Sequence, residues 1–171
     1  MALVTVSFSK TDILNRIKGK EALLADSGVK RLLGTTTKRL IRKCFDEERD
    51  PYGTPWEPLS YRVGKILTLT GVLRGSFRAV NDGDDLLVGT SVFYAPFHQQ
   101  GAVYKQKART QPASKRTGRF TKSRSQSSRS VRVPGGTRRI PRRPFLPDGR
   151  GMPPKWRKAL RDAVRQFTTQ I

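Results

Sequence analysis

Asp46, Glu47, Glu48 and Asp50, in "FDEERD", form the densest acidic group in the chain. Several carboxylate oxygens at such spacing could hold a hard divalent cation, as in a metal-dependent nuclease. Asp82, Asp84 and Asp85 in "NDGDD" form a second group. The first group reads equally well as the solvated end of a helix, although negative charge there opposes the helix dipole. The second reads as turn chemistry. His98 is the sole histidine, and its neighbours Gln99 and Gln100 offer no carboxylate to orient it as an acid or base. A hydrogen-bonded structural role is the better reading. Cys44 is the single cysteine, so one thiol and one imidazole do not make a structural zinc site. "GTTTKR", from Gly34 onward, lacks the Gly-Lys-Ser/Thr ending of a phosphate loop, and neither G-x-S-x-G nor H-E-x-x-H occurs. The sequence therefore reads as a non-enzyme with no cofactor and no metal.

The strongest cue is charge. The 171 residues carry a net +22, no Asp or Glu lies between Asp85 and Asp148, and residues 105–143 hold fourteen Lys or Arg. Candidate contacts are Lys107, Arg109, Lys115, Arg116, Arg119, Lys122, Arg124, Arg129, Arg132, Arg138 and Arg139. Cations at this density attract polyanions directly and by releasing condensed counterions. Tyr104 and Phe120 are too sparse for a base-stacking platform. Low hydrophobicity predicts that 103–139 is a flexible basic insertion. One reading of the whole protein is thus a sequence-independent nucleic-acid binder acting through residues 105–143.

The surrounding elements predict a single α+β domain spanning 1–171. "LVTVSF" alternates as a short strand does. A helix from Thr11 presents Ile13, Leu14 and Ile17 on one side. A second, about Val29 to Glu48, turns Leu32, Leu33, Leu40, Ile41, Cys44 and Phe45 inward. Its other face carries Lys30, Arg31, Lys38, Arg39, Arg42 and Lys43 toward water. "DPYGTPWEPLS" is a proline-fixed loop with Trp56 as packing anchor. A short helix around Thr70–Ser76 leads into a β-hairpin turned by "NDGDD". "FYAPFHQQG" is a helical turn stopped by Gly101. A C-terminal helix from about Pro154 to Thr169 spaces Trp156, Leu160, Val164 and Phe167 on one stripe. The fold is two N-terminal helices, a central antiparallel hairpin or sheet and a C-terminal helix, with the long basic loop inserted before the last helix. No signal peptide and no membrane span is expected, so the chain is placed in a cytoplasm or in something assembled there.

Four stretches together resemble a known family. They are a D-P-x-G-x-x-W loop (Asp50, Pro51, Gly53, Trp56) and a T-G-x-L-R-x-S segment (Thr70, Gly71, Leu73, Arg74, Ser76). A V-G-T…Y-A…H-Q-x-G block follows (Val88, Gly89, Thr90, Tyr94, Ala95, His98, Gln99, Gly101), then P-x-R-P-F-L (Pro141, Arg143, Pro144, Phe145, Leu146). In this order they resemble the bacteriophage virion-morphogenesis, or tail-completion, family. The resemblance implies a structural virion protein at the tail top or neck, assembled in the host cytoplasm. Such a protein completes the tail and joins it to the head as part of a homo-oligomeric, hexameric ring, beside neighbouring tail or neck proteins. It also implies that the motif residues are architectural: glycines for tight turns, Trp56 and Phe145 as loop anchors, His98 and Gln99 bonding nearby backbone. The basic stretch then either projects toward genomic DNA or docks on an acidic neighbour. The second is favoured, because a strong clamp on DNA would hinder ejection.

Overall fold

The computed structural model describes residues 4–8, 27–60, 63–83, 85–115 and 128–169. It is an α+β protein in which every described strand pairs antiparallel. Met1–Gly101 with Pro141–Ile171 form one compact unit, and Ala102–Ile140 form a second.

The first unit is organised around helix α1 (Ser27–Glu47). Val29, Leu33, Thr37, Ile41, Cys44 and Phe45 recur every three or four residues, so they share one face, and all are buried. Thr37 is tolerated there because its hydroxyl donates to the Leu33 carbonyl at 2.8 Å. Leu32 and Leu40 are only half-buried. Lys30 departs from the expected solvated basic face. It is 8% exposed, and its ammonium donates to the Gly83 carbonyl at 2.6 Å. Burying the cation is possible because a backbone acceptor meets it. The helix closes at Glu48, whose φ of 53° is left-handed, and the Arg49 N–H reaches back to the Cys44 carbonyl at 3.1 Å.

Strands β1 (Val4–Phe8), β2 (Arg78–Asp82) and β3 (Asp85–Thr90) form a sheet in the order β1-β3-β2. The expected hairpin is β2–β3, in register from Arg78 against Gly89 to Asp82 against Asp85. Leu86, Val88 and Thr90 alternate inward, as the period of two requires. Gly34 of α1 allows the helix to lie close on this hairpin: a Cβ added there would stand 2.7 Å from the Ala79 Cβ. Short helices α2 (Val72–Gly75) and α3 (Ala95–Gln100) flank the hairpin in sequence. Helix α4 (Pro154–Thr169) buries Trp156, Leu160 and Val164 and packs against α1. The helix expected from Thr11 lies outside the described residues.

The described residues of the second unit form a two-stranded ribbon. β4 (Ala102–Gln106) pairs with β7 (Gly136–Ile140), and β5 (Arg109–Ser114) pairs with β6 (Ser128–Val133). Gln106 faces Gly136 on one side of the interruption and Arg109 faces Val133 on the other. Lys107–Ala108 on one arm and Pro134–Gly135 on the other match in length, so a single register runs the whole ribbon. Pro134 has no N–H to give the ladder. A Cβ on Gly135 would meet the Ala108 nitrogen at 2.8 Å and the Gln106 oxygen at 2.9 Å, so the arms pass too close there for a side chain. Strands thus occupy both flanks of the segment that the sequence reading takes as flexible. Backbone pairing satisfies N–H and C=O groups whatever the side chains, and "SVRV" within β6 alternates as a strand should.

Candidate functional site

The four sequence motifs, far apart along the chain, meet in the first unit. Asp50 builds the first loop: one carboxylate oxygen accepts the N–H groups of Tyr52 (2.9 Å) and Thr54 (2.7 Å). Its own N–H donates to the Thr54 carbonyl at 2.8 Å, and Gly53 takes φ 98° to close the turn. Pro51 is buried. The loop delivers Trp56 to the core, where it is 5% exposed and its indole N–H donates to the Pro144 carbonyl at 2.9 Å.

In the second motif Gly71, left-handed at φ 69°, precedes α2, which buries Leu73. Arg74 Nη2 reaches both carboxylate oxygens of Asp46, at 2.8 and 3.1 Å. The Ser76 hydroxyl lies 2.6 Å from that of Thr90, which ties this motif to the V-G-T stretch. Gly89 sits in β3 opposite Arg78.

The third and fourth motifs are joined by Gln99. Its amide nitrogen donates to the Leu146 carbonyl at 2.8 Å, and its oxygen accepts the N–H groups of Phe145 (3.0 Å) and Leu146 (3.2 Å). Arg143 is 4% exposed. Its N–H donates to the His98 carbonyl at 2.7 Å, and its guanidinium donates to the carbonyls of Glu57 (2.9 Å) and Pro58 (3.2 Å). The chain from Pro141 through Pro144 therefore delivers Phe145 into an aromatic cluster. Its ring lies 5.7 Å from that of Phe45 and 5.4 Å from that of Phe77, and Phe45 is 5.4 Å from Trp56. Tyr94 packs edge-on to His98 and Phe93, and Gly101 ends α3 at φ 76°.

His98 serves by its backbone and its ring packing. Its Nδ1 is buried without a hydrogen-bond partner among the described residues. Burial, and then the Arg143 guanidinium, lower its pKa, so the ring is neutral at pH 7. The Cys44 thiol is pushed up to about 12, chiefly by burial and then by Asp50 and Glu47, so it is no nucleophile. The acidic group is divided among separate partners: Asp46 takes Arg74, Glu47 takes Lys43, Glu48 accepts the Ile66 N–H, and Asp50 holds its loop. Among the described residues no cluster of three or more His, Cys, Asp or Glu could hold a metal ion.

One part of the framework was not singled out from the sequence. Asp148 accepts from Arg142 and Arg150, and its N–H donates to the Tyr52 hydroxyl at 3.3 Å. That hydroxyl lies 2.6 Å from the Gly151 carbonyl, and the Arg150 guanidinium stands 3.7 Å over the Tyr52 ring. The signal was present: Asp148 is the first carboxylate after Asp85, set among arginines.

Comparison with protein families matches residues 10–168 to the phage virion morphogenesis family. The chain belongs to that family. No curated protein and no solved structure matches it. Membership in the phage virion morphogenesis family gives the protein a part in virion assembly. Among the described residues no helix is long and apolar enough to cross a membrane.

The cationic candidates lie elsewhere, in the second unit. Lys107, Arg109, Lys115, Arg129, Arg132, Arg138 and Arg139 are all exposed there. Arg116, Arg119, Lys122 and Arg124 lie outside the described residues.

Proposed function

We propose that this protein is a non-enzymatic structural component of the virion that completes the upper end of a phage tail. As one subunit of a homo-oligomeric ring, hexameric in the family it resembles, it joins the tail to the head. The observation that carries this reading is what the motif residues do. Asp50, Trp56, Arg74, Gln99, Arg143 and Phe145 are all engaged with neighbouring backbone, rings or charges of the same unit, which suits a rigid building block. Phe93 and Phe97 support subunit contact, because at 80% and 46% exposure they offer apolar area to a neighbour.

The test is a phage whose gene for this chain is inactivated. Electron microscopy of the lysate should reveal filled heads and separate tails, and added purified protein should restore infectivity. Intact, infectious particles from that lysate would reject the reading. Sedimentation of the purified chain tests the ring: a monomer at all concentrations, with none assembling on isolated tails, speaks against it.

A further inference from the structure

The geometry of the ribbon in the second unit bears on what it contacts. Between Ala102 and Ile140 the sequence has no Asp or Glu, so no carboxylate of that segment neutralises its cations. In an antiparallel pair, directly opposed residues share a face and successive residues alternate. In β4–β7, Lys105 falls on the face of the Val103–Arg139 pair, while Arg138, opposite Tyr104, falls on the other. In β5–β6, Arg109 and Arg129 share one face and Arg132, opposite Thr110, holds the other. Cations therefore stand on both faces of both strand pairs.

This distribution separates the two partners left open by the sequence. An acidic protein surface meets one side of a ribbon and leaves the charge on the other unused. The strands also expose few of the large anchors that dominate protein interfaces: Val103 and Tyr104 are the exposed large hydrophobics described on them. A nucleic-acid groove has a phosphate wall on either side, and the major groove of B-form DNA is wide enough for a two-stranded ribbon. We propose that the ribbon binds duplex DNA in its groove by phosphate contacts from both faces, without reading sequence. The ejection argument does not oppose this, because sequence-independent phosphate contacts exchange readily and let protein and DNA slide. The proposal goes beyond the structural role and does not depend on it: binding is measured on the purified chain, so its failure leaves the assembly reading standing.

The experiment is fluorescence anisotropy of the full chain with labelled 20-base-pair duplexes of two unrelated sequences, across a salt series. Equal affinities are expected, with log K falling against log salt at a slope of about −4 or steeper. Arg109→Gln with Arg129→Gln, and separately Arg132→Gln with Arg138→Gln, should each make the slope shallower by about two units. Unchanged thermal melting of each variant verifies that the fold survives. The proposal is overturned if only one variant pair matters, if the duplexes differ by more than tenfold, or if polyglutamate of matched charge displaces the duplex as well as unlabelled duplex does. The last result would identify an acidic protein surface as the partner.

Discussion

Gln99 and Leu146 hold each other twice, side-chain amide to backbone peptide. The Gln99 amide nitrogen donates to the Leu146 carbonyl at 2.8 Å and the Leu146 N–H returns to the Gln99 oxygen at 3.2 Å. The pair behaves as one rung of a β-ladder in which a side chain replaces the second strand. Both partners are buried, at 7% and 1% exposure, so neither bond has water as a substitute.

Gln99→Met keeps the volume and removes all three bonds of the amide. It leaves the N–H groups of Phe145 and Leu146 and the Leu146 carbonyl without that partner, at a cost of about 3 kcal/mol or more, from one to three kcal/mol per stranded group. Urea denaturation should reveal a lower midpoint with an unchanged m-value. Gln99→Glu should also destabilise, since it retains an acceptor but brings a charge and loses the donor.

Gly34→Ala sets a methyl 2.7 Å from the Ala79 Cβ, closer than carbon atoms pack. Helix propensity favours alanine by about 1 kcal/mol, whereas overpacking costs about 1–3 kcal/mol. Net destabilisation is therefore expected in thermal melting. Adding Ala79→Gly should restore part of the loss, because it removes the opposing methyl.

Cys44 should resist thiol reagents. With the thiol pushed up to about 12 and its side chain buried, native protein at pH 8 should not be labelled by iodoacetamide on the timescale of free cysteine. In urea above the unfolding midpoint, labelling should proceed at the rate of an exposed thiol.

Asp148 links stability to acid. The side-chain bond from Arg150, followed by its backbone N–H and the groups of Tyr52 and Arg142, holds the carboxyl well below the usual carboxylate range. A carboxyl whose folded pKa is depressed contributes stability that is complete above its unfolded value, about 3.9, and lost as pH falls through the folded one. Melting temperature should accordingly drop below about pH 4. Asp148→Asn should be less stable than the parent at pH 7 and should lose part of that acid dependence.

Much of the framework was legible because it is written in local pattern. The inward stripe of α1, the turn between β2 and β3 and the stripe of α4 follow from period and turn chemistry, although Leu32, Leu40 and Phe167, expected on those stripes, are only half-buried. Trp56 as an anchor was also readable, since prolines around an aromatic leave it little else to do. Lys30 was not: its partner, the Gly83 carbonyl, lies in a turn 53 residues away, and nothing in the helical pattern separates a buried ammonium from a solvated one. Gly34 likewise looked like part of a failed phosphate loop because only the approach of Ala79 explains it. The ribbon was obscured by composition. Its cations and serines dominated the reading, while the pairing that orders its flanks comes from backbone groups that every residue carries.

The ribbon opens with Ala102 facing Ile140, and the same register continues through both of its strand pairs. Chain inserted equally into both arms, two residues at a time so that the pleat keeps its phase, would lengthen the ladder by about 3.3 Å per added rung. Every opposed pair already present would keep its partner and its face. The length of the ladder is thus free to vary while its pattern of cations stays the same.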